Sequence, residues 1–135
     1  MKKQQSGFSV VFIVKTNDSV ETIIDIMHCK PTHMTLKGTS KSIYIEEAAQ
    51  NIFVYEKKYF DTDYDNCILD FLSLYQITPQ RLIALCKVSS CRLRFCIQSD
   101  YAQIFFPLSK ATLKYLYEMD IPIEFSVLSW GGVDC

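Results

Sequence analysis

Asp61, Asp63 and Asp65 alternate with other residues, the spacing with which a calcium-binding loop opens. Such a loop needs a Gly at its sixth position for the turn and a bidentate Glu at its twelfth. Asn66 and Leu72 stand there instead. The three carboxylates therefore suit two other roles: a helix start, where negative charge meets the positive end of the helix dipole, or an acidic patch, extended by Glu46 and Glu47, that faces a basic partner. The charge distribution supports the second role. Residues 1–60 carry 8 basic and 6 acidic side chains, and residues 61–135 carry 6 and 9.

His28, Cys29 and His33 are metal-competent side chains close together, but no Cys-x-x-Cys pair accompanies them to complete a zinc site. Cys29 with His33 as its base would make a thiol nucleophile, which requires a lowered thiol pKa. A position near the negative end of a helix works against that, and it favours a cationic His28. Cys86, Cys91 and Cys96 recur every five residues, yet Cys86 falls on a helix and the other two on opposite faces of a strand. They read as packing residues. Arg92 and Arg94 share a strand face and are followed by Tyr101, Phe105 and Phe106, an arrangement that a base-stacking sheet could use. The glycine-aromatic signature of such a sheet is missing, and pairing of the two arginines with Asp100 or Glu124 is the competing expectation. Trp130, beside Gly131 and Gly132, is a candidate anchor for a partner or a seal on the core. The sequence has no phosphate-binding loop, nucleophile elbow, His-Glu-x-x-His or dinucleotide fingerprint.

These residues must be held by elements that the apolar pattern outlines. Phe8 to Val14 is nearly continuously apolar, as in a strand covered on one face and partly on the other. Asp18 with Glu21 three positions on resembles a capping box for a helix that turns Val20, Ile23, Ile24 and Met27 inward. Pro31 to Lys41 reads as a loop, and Ser42 to Ile45 and Ile52 to Lys57 as strands. A helix carries Cys67, Ile68, Phe71, Leu72 and Tyr75 on one stripe. Thr78 then caps a second helix that has Pro79 in its first turn and Leu82, Ile83 and Cys86 facing inward. Cys91 to Gln98 alternates cleanly, with Phe95 on the inward face. A strand from Tyr101 to Phe106, a helix capped by Ser109 with Leu113, Leu116 and Tyr117 inward, and a strand through Ile123, Phe125 and Val127 complete the pattern. The order βαββααββαβ predicts an α+β fold, a mainly antiparallel sheet of about six strands with helices packed on one face.

The chain's 135 residues fit one domain, and an apolar content of 49% with 21% charged residues is enough for a core. A formal net charge of −1 gives no strong field toward nucleic acid or anionic lipid. No apolar run approaches the roughly 18 residues of a membrane span. The Met1-Lys2-Lys3 opening lacks a following signal-peptide core and cleavage site. Six cysteines, most of them within apolar segments, are expected to be free thiols in a reducing, cytoplasmic setting.

Several segments together carry a resemblance: Ile26-Met27-His28-Cys29-Lys30-Pro31-Thr32 leading to Lys37-Gly38, the helix pair before Arg92, and Leu116 to Val127. Over most of residues 8–128 they resemble the bacterial family called domain of unknown function 4279. Its members tend to place a Trp in the central strand region, where this chain has none. The resemblance implies a small α+β bacterial domain and brings no catalytic motif. By size and class the chain is also similar to immunity proteins, which neutralise a paired toxin. The expectation is thus a non-enzymatic protein-binding domain without cofactor or metal, an immunity protein whose contact residues are Asp61, Asp63, Asp65, Glu46, Glu47 and Trp130 and whose partner is a basic toxin domain. The alternatives are a thiol enzyme built on Cys29 and His33 and a nucleic-acid binder built on Arg92 and Arg94.

Overall fold

The computed structural model describes residues 7–38, 49–60, 63–99 and 105–129. Their elements run β1 (Gly7–Thr16), α1 (Val20–Met27), β2 (His33–Thr35), β3 (Asn51–Tyr59), α2 (Tyr64–Leu74), α3 (Pro79–Cys86), β4 (Ser90–Ser99), α4 (Lys110–Met119) and β5 (Ile123–Ser129). The strands form one sheet in the order β2-β3-β1-β4-β5.

Among the described residues the fold is α+β with five strands rather than about six. The sheet is mixed rather than mainly antiparallel, because β5 returns through α4 to lie parallel to β4, while the other three pairings are antiparallel. A crossover helix is the ordinary way to connect parallel neighbours. The expected strand from Tyr101 to Phe106 is not formed at its described end, since Phe105 and Phe106 belong to an irregular segment that leads into α4. The expected strand from Ser42 to Ile45 lies outside the described residues. Conversely, β2 forms inside what reads as a loop: Thr32 N–H donates to the Val54 carbonyl at 2.7 Å and its hydroxyl accepts from Glu56 N–H, which docks three residues on the edge of β3.

β1 is central, and its register places Phe12 between Tyr55 and Leu93, with Val10 and Val14 on the same face. That face, with Phe53, Phe95 and Ile97, meets Ile23 and Met27 of α1, Ile68 and Phe71 of α2, Leu82 and Leu85 of α3 and Leu116 and Met119 of α4 in one core. All four helices therefore pack on one side. Two helix faces depart from the sequence pattern. In α3, Leu82 and Leu85 are buried while Ile83 and Cys86 are exposed. In α4, Thr112, Leu116 and Met119 face inward and Leu113 and Tyr117 face out.

The caps are mostly those the sequence signals. Thr78 and Ser109 accept from the N–H groups of Arg81 and Thr112, and Asp63 accepts from that of Asn66. At α1 the capping box of Asp18 and Glu21 does not form: Ser19 is the N-cap, and Thr16 Oγ1 takes the N–H of Asp18. Arg81 fastens the helices together, its Nη1 donating to the carbonyls of Met27 at 3.1 Å and Tyr75 at 3.2 Å, the ends of α1 and α2.

Candidate functional site

The described carboxylates at the start of α2 are engaged within the fold. Asp63 caps the helix and also accepts from the Asn66 side chain at 2.7 Å. Within the first turn, Asp65 Oδ1 accepts the backbone N–H of Ser109 at 3.0 Å, and this bond is the main reason its carboxyl is held below the usual range. Further along the helix, Asp70 accepts from Tyr59 Oη at 2.6 Å and from Lys57 Nζ at 3.1 Å, with its carboxyl lowered chiefly by the tyrosine. The calcium reading fails at Leu72, which is buried and apolar where a ligand would be needed. Asp61, Glu46, Glu47 and Trp130 lie outside the described residues.

Cys29 and His33 are not brought together. Cys29 follows α1 and packs against the core, its carbonyl accepting from Tyr55 Oη at 2.9 Å. Burial raises its thiol pKa, against the pull of Arg81. His33 stands in register with Val54, on the sheet face away from Tyr55, and its Nε2 lies 3.5 Å from Glu56. His28, at the C-cap of α1, has the left-handed conformation (φ 61°). Among the described residues no three His, Cys, Asp or Glu side chains converge as a metal site. The five described cysteines are free, with Cys91 on the core face and Cys96 on the other. Cys135 lies outside the described residues.

On the face of the sheet away from the helices, Arg92 and Arg94 converge on Glu124, with N–O distances of 3.4 and 3.2 Å. The glutamate expected as a partner is therefore the one that holds them, and it orients both guanidinium groups toward β5. Val11 and Ile13 lie on this face yet are only 6% exposed each. Their register places Val11 between Glu56 and Arg94, and Ile13 between Val54 and Arg92, where the alkyl stems of the arginines can lie over them.

Among the described residues an exposed apolar surface lies between α4 and β5. Ile97, Phe106, Leu108, Leu113, Phe125 and Val127 line a groove of about 440 Å³. Phe106, partly buried, ties the groove to the core, with ring centroids 4.4 Å from Tyr64, 5.4 Å from Phe8 and 5.8 Å from Phe125. Phe125 and Val127 remain 56% and 57% exposed, Leu113 51%, and Tyr117, one turn after Leu113, 84%. The sequence contained a signal for this surface: Leu113, Leu116, Tyr117 and Met119 spread around α4 more widely than one inward stripe. Which of them would be left outside depends on how the crossover seats the helix.

No protein-family model, curated protein or solved structure matches this chain.

Proposed function

We propose that the chain is a non-enzymatic protein-binding domain. The observation that carries this reading is the apolar surface between α4 and β5, where aromatic and aliphatic side chains line an open groove instead of completing a core. Contiguous exposed apolar area of this kind costs solubility unless another surface covers it. No described helix is long and apolar enough to cross a membrane.

The finer reading is an immunity protein that neutralises a bacterial toxin in the cytoplasm. Size and class support it, as does the acidic second half of the chain. The carboxylates that would meet a basic toxin are Asp61, Asp63 and Asp65 with Glu46 and Glu47, and Trp130 would add an aromatic anchor. The internal bonds of Asp63 and Asp65 fix their positions while leaving their charge in place, which suits electrostatic steering. If a neighbouring gene encodes a large secreted protein with a variable C-terminal domain, co-expression with that domain tests the reading. Restored growth and a co-purifying complex are expected. A toxin domain that stays lethal and forms no complex with the purified chain overturns the immunity reading.

A further inference from the structure

We infer that the free edge of β5 pairs with the β5 edge of a second copy of this chain, the two strands running antiparallel about a two-fold axis at Ser126. This rests on reading the α4–β5 surface as a protein-contact surface, and it leaves the α2 side free for a different partner.

Among the described residues β5 pairs only with β4, without a break from Ile123 to Ser129. Edge strands are ordinarily protected by shortness, by Lys or Pro, or by a bulge. The opposite edge, β2, has such protection in its three-residue length and in Pro31 just before it. Pro122 stands just before β5 but directs its backbone toward β4, so the outer edge of β5 has none of these protections. The strand is seven residues long, contains no Lys or Pro, and its single charge, Glu124, is drawn inward to Arg92 and Arg94.

The sequence of β5 is self-complementary in one register. Leu93 N–H donates to the Pro122 carbonyl, so in the parallel ladder Pro122, Glu124, Ser126 and Leu128 direct their backbone groups toward β4. Ile123, Phe125 and Val127 then direct theirs outward. With Ser126 opposite its own counterpart, Phe125 and the Val127 of the second copy exchange both backbone hydrogen bonds. Their side chains meet on the helix-covered side, where the two grooves join into one. Glu124 falls opposite Leu128, and no two like charges face each other across the axis.

The covered surface is also appropriate. On the helix-covered side Phe125, Val127 and Leu113 are each more than half exposed and Leu128 is about half exposed on the other face, so pairing covers apolar surface on both sides of the strand as well as its backbone edge, contributing toward the ~800 Å² per partner of a standard interface.

Sedimentation of the full chain, wild type and Val127→Lys, provides the test, with a circular-dichroism melt of each to confirm that the exposed substitution leaves the fold intact. The wild type should sediment at twice the 15.6 kDa chain mass and dissociate on dilution, and Val127→Lys should weaken the dimer at least tenfold. Ser126→Cys should form a disulfide-linked dimer on mild oxidation, above the background of wild type and of Glu118→Cys. A wild type that is monomeric at all concentrations up to ~100 µM, far above typical specific affinities, overturns the inference. A dimer indifferent to Val127→Lys does so as well. A monomeric wild type that still binds its toxin removes the dimer alone, and a dimer that binds no toxin removes the immunity reading alone.

Discussion

Asp65 accepts the backbone N–H of Ser109, 44 residues further along the chain, and so ties the first turn of α2 to the first residue before α4. An acidic residue that reads locally as a helix start also positions the helix whose outer face borders the exposed groove.

The bond has a pH signature. Because the Asp65 carboxyl is lowered by accepting that N–H, its contribution is complete above the ordinary Asp value of ~3.9 and is lost as pH falls through the lower folded value. The Ser109 amide resonance, followed by NMR from pH 6 downward, should shift with a midpoint below that ordinary value. A midpoint at or above it would show that the bond is not formed in solution. Asp65→Ala should also speed amide exchange at Ser109 without unfolding the sheet.

Phe95→Ala should destabilise the protein by about 3–5 kcal/mol, since the ring is fully buried against Phe8, Phe106 and Phe125. Arg94→Ala, next to it on the other face and partly solvated beside Glu124, should cost less than about 1 kcal/mol. Urea unfolding of the two variants checks the order, and its reversal would move the register of β4 by one residue.

Arg81→Ala removes a guanidinium that serves the carboxyl ends of two helices at once. A loss of about 2 kcal/mol is expected for hydrogen bonds made by a charged donor. Amides in the last turns of α1 and α2 should exchange faster, while those of β1 and β4 keep their relative protection. Equal loosening everywhere would contradict a local fastening role.

Burial pushes the Cys91 thiol up to about 12, whereas Cys86 lies exposed at the end of α3. A thiol reagent applied to the native protein at pH 8 should therefore modify Cys86 early and Cys91 only on unfolding. Peptide mapping of the labelled positions decides it. Rapid labelling of Cys91 in folded protein would place its side chain on the wrong face.

How much of this was legible varies with the physical origin of each feature. The alternation in Cys91 to Gln98 fixed which residues face the core, because a half-buried strand has a period of two. The same parity set Arg92 and Arg94 on one face and Glu124 within reach. Thr78-Pro79 and Ser109 announced their helices through local chemistry that needs no tertiary context. β2 was not legible, since His33-Met34-Thr35 has no apolar alternation and exists because β3 has an edge to fill. Nor was the direction of β5, because the alternation of Ile123, Phe125 and Val127 is the same whichever way the strand runs. The inward faces of α3 and α4 depended on seating, so Cys86, Leu113 and Tyr117 are found outside.

The central place of β1 bears on how the chain is made. Its run Val10-Val11-Phe12-Ile13-Val14 emerges from the ribosome before either flanking strand exists, and its register with β4, Phe12 opposite Leu93, awaits almost the whole described chain. At ~5–20 residues per second that wait is several seconds, during which this apolar segment has no partner strand until β3 emerges and one open edge thereafter. A nascent chain halted before β4 should thus need a chaperone to stay soluble, and release should be followed by slow, long-range closure of the sheet rather than by growth from its first strand.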